Sequence, residues 1–163
     1  MEEKRIKIVR VDQAGFFITD LFKKSFGDLP PATPVHYIAF YKSSPSTFEA
    51  IGYYHVDYRG KYALVGGLCV DRQFYRKLWS GRRPILLGKH RGVAEKLVRA
   101  ALEDAEEHKA FFAYTGNPLS QAIIHRVGFV ETRHKYLMVK WLKSLPEEEK
   151  EKIITEVVAI GPF

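Results

Sequence analysis

Lys89-His90-Arg91-Gly92-Val93-Ala94 opens a long amphipathic stretch, and the reading of the whole chain turns on it. Glycine and alanine let an anion approach the main chain closely, and the N–H groups of a helix start point outward at it. The helix dipole adds a favourable field, and Lys89 and Arg91 supply charge. The segment follows an apolar strand, Ala63 to Val70, which is where an α/β arrangement places a phosphate-binding turn. A plain helix N-terminus has the same look, so the turn alone does not decide the matter.

Outward from this turn the chain reads as mixed helix and strand. Gly92 to Lys109 sets Val93, Leu97, Val98, Ala101, Leu102 and Ala105 on one buried stripe, with Glu103, Asp104, Glu106 and Glu107 on its wet face. Ala110 to Thr115 is a short, nearly all-apolar strand of the kind covered on both sides. A helix from Pro118 to Val127 leads through Gly128 into strands near Phe129 to Arg133 and Tyr136 to Leu142. Ser144-Leu145-Pro146-Glu147 has the form of a capping box for a last helix, with Ile153, Ile154, Val157 and Val158 on one face.

Upstream, Arg5 to Val11 alternates apolar and charged residues as a half-buried strand does. Asp12 is placed to cap a helix carrying Phe16, Phe17, Leu21 and Phe22 on one side and ending near Gly27-Asp28. Beyond the stiff connector at residues 29–34 come strands Val35 to Lys42, Phe48 to Tyr58 and Lys61 to Val70, whose short links predict an antiparallel meander. Asp71 to Gly88 reads as irregular. No repeat, low-complexity tract or linker divides the 163 residues, so one domain is expected.

Composition narrows the partners. An apolar fraction of 46% fits a folded globular chain, and no apolar run reaches the roughly 20 residues of a membrane helix. The charged start MEEKRIKIVRV lacks the apolar core of a signal peptide. The single cysteine, Cys69, gives no internal disulfide framework and no cysteine-pair zinc pattern, which suits a reducing cytoplasm. A net charge of +7 favours an anionic partner: a phosphorylated cofactor, a nucleic acid or an acidic metabolite.

Three segments taken together resemble the GNAT superfamily of acyl-CoA-dependent N-acyltransferases. Lys89 to Ala94 is similar to the family's Gln/Arg-x-x-Gly-x-Gly/Ala signature, with lysine at its first position. Leu68-Cys69-Val70 resembles the end of the family strand that pairs with pantetheine. Asn117-Pro118-Leu119-Ser120 through Arg126-Val127-Gly128-Phe129 resembles the family's Asn…Gly-Phe segment at its usual spacing. The likeness covers about residues 5 to 142, leaving 144 to 163 as a helical extension.

That resemblance implies an α+β fold in three α/β/α layers: a mixed, mostly antiparallel sheet of about seven strands flanked by helices. It implies acetyl-CoA, or another acyl-CoA, held by Lys89, His90, Arg91, Gly92, Val93 and Ala94 at the pyrophosphate. Leu68, Cys69, Val70 and Asn117 would serve the pantetheine arm. An amine of a small molecule or protein would attack the thioester directly, its carbonyl polarised by N–H groups near Cys69 or Val70.

The chain departs from the family pattern in two places. The tyrosine that protonates the leaving thiolate in many relatives falls at Ile124, which has no proton to give. Tyr114 is another candidate donor; so is His125, although it points about 100° away from its helical neighbour, and water is a third route. The second departure is an apparent insertion from Phe74 to Leu86. Its Phe74, Tyr75, Trp79, Arg82 and Arg83 either wall the acceptor site, grip the CoA 3′-phosphate or form an ordinary surface loop.

Alternation puts His55 and Asp57 on one side of a central strand, making His55 the leading general base unless it is a half-buried structural histidine. Cys69 reads as an inert core thiol rather than a nucleophile. The expected function is an N-acyltransferase, most simply an acetyltransferase. The alternatives are a silent acyl-CoA sensor, suggested by Ile124, and a nucleic-acid-binding module, suggested by charge. Basic residues spread along the chain without a recognised binding motif argue against nucleic acid. The last helix packs on its own sheet or on a second subunit, so a homodimer is considered.

Overall fold

The computed structural model describes residues 5–33, 35–79 and 92–163. Their strands are β1 (Ile6–Val11), β2 (Val35–Lys42), β3 (Phe48–Arg59), β4 (Tyr62–Val70), β5 (Ala110–Tyr114), β6 (Val130–Glu131) and β7 (Leu137–Trp141). The helices are α1 (Gly15–Phe26), α2 (Arg72–Trp79), α3 (Val93–Glu103), α4 (Pro118–Arg126) and α5 (Glu147–Ile160). One sheet runs β1-β2-β3-β4-β5-β7-β6, antiparallel at each step except between β4 and β5. The parallel step follows from connectivity, because a helical crossover through α3 returns the chain to the same end of the sheet.

Helices cover both faces. On one, Val93, Leu97, Val98 and Ala101 of α3 are fully enclosed against Tyr37, Tyr54, Val56, Val65 and Phe111, joined by Ile124 of α4. Burying each Val or Leu there stabilises by about 1.5–3 kcal/mol. On the other face Ile18 and Phe22 of α1 meet Ile38, Tyr53 and Cys69, and beside them Ile153, Ile154 and Val157 of α5 meet Leu64, Phe112, Leu137 and Val139. This is the three-layer arrangement expected from the sequence. Among the described residues no helix is long and apolar enough to cross a membrane.

Several local expectations are corrected. Asp12 does not cap α1: the helix starts after Ala14, which is buried and makes no side-chain cap bond. Phe16 is 96% exposed, because the inward stripe runs through Ile18 and Phe22 and leaves Phe16 and Phe17 outside it. Residues 72–79 are helical rather than irregular; the Asp71 carboxylate accepts the Gln73 N–H (2.8 Å), and buried Phe74 meets Tyr41 edge-on. α3 stops at Glu103 rather than Lys109, where Asp104 turns to accept the Tyr37 hydroxyl (2.7 Å) and Arg10 (3.3 Å). Ser144 does not cap α5; Pro146 stands at that position, and Glu147, Glu148 and Glu149 favour the helix start through the dipole. Val158 of α5 is exposed, not on the buried face.

Candidate active site

The two central strands part. β4 and β5 pair only over Tyr62–Val65 with Ala110–Ala113, after which β5 ends and β4 continues alone to Val70. Among the described residues, Gly66 to Val70 therefore has β3 along one edge and no strand along the other. The register with β3 slips here, Tyr53 facing Cys69 but His55 facing Gly66, which leaves one extra residue in β4. Gly67, within this bulge, takes φ +62°, a conformation that glycine adopts without strain.

A cleft of about 770 Å³ fills this opening. It is lined by Gly92, Ala94 and Ile124 from the α3–α4 layer, by Leu21, Ser25 and Phe26 of α1 from the opposite layer, and by β4 and the end of β5 between them. The cleft thus leads from one face of the sheet to the other past the parted strands. Its volume is that of a small-molecule or cofactor site.

At one end lies the start of α3. Gly92, at φ +143°, is in a region that side-chain-bearing residues rarely adopt, and its carbonyl accepts the first helical bond from Lys96 (3.2 Å). The amides of Ala94 and Glu95 precede that bond, and both residues line the cleft at the helix start. Lys89, His90 and Arg91 lie outside the described residues, as do Arg82, Arg83 and the side chains of Tyr75 and Trp79.

Glu95 is a feature that pattern reading passed over as part of a helix. Its carboxylate is 4% exposed and bonds Arg99 of its own helix (2.8 Å) and Arg126 of α4 (3.2 Å), tying α3 to α4 beside the cleft. Burial disfavours its charge, but the two guanidiniums outweigh burial and hold its pKa below the ordinary carboxylate range. Across the cleft Asn117 caps α4, its side-chain oxygen accepting the N–H groups of Leu119 (2.9 Å) and Ser120 (3.2 Å). Thr115 in turn accepts the Asn117 N–H (3.2 Å), which fixes the turn out of β5.

His55 stands on the α1 side of the sheet, its ring against the bare backbone of Gly66 and Gly67, which line the cleft where His55 itself does not. A Cβ on Gly67 would lie 2.6 Å from Nδ1, so the glycines are what admit the imidazole. Burial lowers its pKa to about 4, with neighbouring His36 adding to the shift and Asp57 opposing it. The ring is therefore neutral at pH 7, and its Nδ1 is buried without a hydrogen-bond partner among the described residues. His36 sits directly across on β2 and meets the Tyr53 hydroxyl at 2.7 Å.

The other sequence-derived candidates separate. Leu68, Cys69, Val70, Tyr114 and Asn117 line the cleft with Gly92 and Ala94, whereas buried Val93 packs in the core under α3. The Cys69 thiol is buried beneath α1, which pushes its pKa up to about 11 against an opposing hydrogen bond from Ser25. It is a core thiol, not a nucleophile at neutral pH. His125 is not in the cleft: its Nδ1 meets the Phe129 carbonyl (3.1 Å) and its Nε2 faces Glu131 (3.6 Å) beyond the end of α4. Ile124 does line the cleft, 2% exposed.

Tyr54 was missed. It also lines the cleft, and its hydroxyl is buried with no hydrogen-bond partner among the described residues; burial raises its pKa, so it keeps its proton. Alternation with His55 was the available signal, since it places Tyr54 on the opposite, α3–α4 side. Among the described residues no group of three or more His, Cys, Asp or Glu side chains is arranged to hold a metal ion.

No family model matches the sequence, and comparison with curated proteins finds no match. Solved structures do match in fold. The ribosomal-protein-S18-alanine N-acetyltransferase from Escherichia coli aligns over 87% of this chain and 97% of its own, with a TM-score of 0.56 and 11% identity. N-acetylglutamate synthase from Neisseria gonorrhoeae, solved with coenzyme A and L-arginine, aligns over 85% of this chain at a TM-score of 0.58 and 12% identity. A candidate acetyltransferase from Pyrococcus horikoshii aligns over 79% at a TM-score of 0.55 and 14% identity. The present chain spans 34% of the Neisseria protein and 44% of the Pyrococcus one.

Proposed function

We propose, from the premise that this chain has the GNAT N-acetyltransferase fold, that it transfers an acetyl group from acetyl-CoA to an amine. The observation that carries this reading is the parting of β4 from β5, which opens a cleft through the sheet with the start of α3 at one end. An extended, amide-bearing arm fits the free edge of β4 as an added strand would. The amides at Gly92 to Ala94, with Lys89, His90 and Arg91 before them, would hold a pyrophosphate by the helix-start field. Asn117 fixes the opposite wall. We take residues 1–163 as one acyltransferase domain with a core over about 5–142, working in the cytoplasm.

When bound, acetyl-CoA supplies an activated acyl group: the amine nitrogen bonds its carbonyl carbon, the C–S bond breaks, and the sulfur leaves as thiolate. The chain's part is placement and proton handling. N–H groups near Cys69 and Val70 on the open edge polarise the carbonyl oxygen. Neutral His55, packed behind Gly66 and Gly67 of the lining, would accept the proton the amine sheds through a water relay past those glycines. Tyr114, at the end of β5 in the cleft, returns a proton to the thiolate.

The test is calorimetric titration with acetyl-CoA, wild type beside Gly92→Glu. The acidic side chain both repels phosphate and demands a backbone conformation that glycine tolerates and glutamate does not. Micromolar binding by wild type, lost in a variant that keeps its circular dichroism, is the expected result; no binding of any acyl-CoA by wild type would sink the reading. A second reading, an acyl-CoA sensor without turnover, draws on buried Ile124 at the family's tyrosine position. Release of free CoA thiol in the presence of amines separates the two.

A further inference from the structure

The α1 side of the cleft has a composition that selects among amines, and this inference rests on the acyltransferase reading above. Leu21 and Phe26 give its α1 wall an apolar part beside Lys24 and Ser25 of the same helix, and Tyr114 lines it from β5. Phe163 stands behind Tyr114, the two rings edge-on at 6.0 Å, and the Phe163 carbonyl approaches Gly66 on the same side as His55. Gly161, at φ +85°, is the turn that brings residues 162 and 163 back from α5 to this place.

The charges point the same way. Of the described acidic residues that line the cleft, Glu95 is engaged by Arg99 and Arg126 on the far side of the sheet. Asp71 accepts the Gln73 N–H at the end of β4. On the α1 side the lining charge is Lys24, with Arg72 nearby at the strand end. A polycationic acceptor needs carboxylates spaced to receive its second and third ammonium groups, and this side offers lysine instead. Neutral His55, behind Gly66 and Gly67, supplies no negative charge to hold a second ammonium group.

We infer that the acceptor is a small monoamine with an aromatic or branched apolar body and no second cationic group. Leu21 and Phe26 contact that body directly, and Phe163 is a positioning residue that holds Tyr114 against it.

Acetyl transfer to phenethylamine and to spermidine, followed by CoA thiol release, tests this with wild type, Phe26→Ala and Phe163→Ala. The expected wild-type kcat/KM for phenethylamine exceeds that for spermidine by at least about tenfold, the scale of discrimination an apolar pocket provides. Phe26→Ala raises KM for phenethylamine about tenfold while KM for acetyl-CoA stays within about twofold. Phe26 is half exposed, so its variant is expected to fold, and Phe163→Ala should narrow the preference between the two amines in the same direction. Preference for spermidine, turnover of neither amine by a protein that binds acetyl-CoA, or an unchanged amine ratio in both variants would each overturn the inference. Failure to bind acetyl-CoA at all would instead remove the acyltransferase premise beneath it.

Discussion

The ring of His55 lies against Gly66 and Gly67, where burial and neighbouring His36 bring its pKa to about 4 from an ordinary 6.5. Between those values the unfolded chain holds a proton on this residue that the folded chain does not. Stability is therefore unaffected by His55 above pH 6.5 and falls as pH drops from 6.5 toward 4, by a total of about 3 kcal/mol. Glu95, whose carboxylate is stabilised in its charged form, and buried His36 add acid sensitivity of the same sign. The contribution of His55 is consequently read as a difference: His55→Gln should flatten the decline in urea midpoint between pH 6.5 and 4.5 relative to wild type. The same variant should lower kcat by 10²-fold or more, the usual scale for a lost general base, with acetyl-CoA affinity retained. Equal acid sensitivity in both proteins would show that the imidazole is not held neutral by its site.

At the scale of elements, the position of α3 depends on the absence of a side chain beneath it. A Cβ on Gly52 of β3 would lie 2.9 Å from a Val93 methyl and 3.1 Å from a Leu97 methyl, both fully enclosed. Gly52→Ala should therefore destabilise by about 1–3 kcal/mol, the range for overpacking, and shift the first turn of α3. Thermal denaturation measures the first effect and weakened acetyl-CoA binding the second; an unchanged melting temperature with unchanged binding would refute the coupling. The elements themselves were largely legible in the sequence, because period-2 and period-3.6 patterns report burial, and burial decides strands and helices. The meander β2-β3-β4 and the stripe on α3 are examples. What the pattern concealed depends on contacts between elements distant in sequence. Glu95 looks like any solvated helix glutamate until Arg126 arrives from α4, 31 residues on. His125 looks like a site residue until the fold turns it to the Phe129 carbonyl. The parting of β4 from β5 leaves no mark on either strand except the paired glycines at 66 and 67.

For the whole molecule, the packing of α5 bears on assembly. Its apolar face, Ile153, Ile154 and Val157, is covered by the chain's own β4, β5 and β7, and Lys61 with Glu156 (2.8 Å) and Lys109 with Glu149 (2.5 Å) pair beside it. The reason for expecting a dimer through α5 therefore falls away. Light scattering at micromolar concentration should give the mass of one 18.8 kDa chain, and a stable twofold mass would show that another surface pairs. The sheet that α5 covers also has an unusual inventory of free edges. The outer ones are protected as soluble proteins commonly protect them: β1 carries Lys7 and Arg10 at exposed or half-exposed positions, and β6 is two residues long. The inner edge at Gly66 to Val70 has no such charge, yet it lies within a cleft flanked by α1 and α4. A second sheet cannot enter so confined a space, whereas one slender extended chain can. The molecule can thus keep the edge of β4 beyond Val65 open to one extended chain without offering a template for fibrous aggregation.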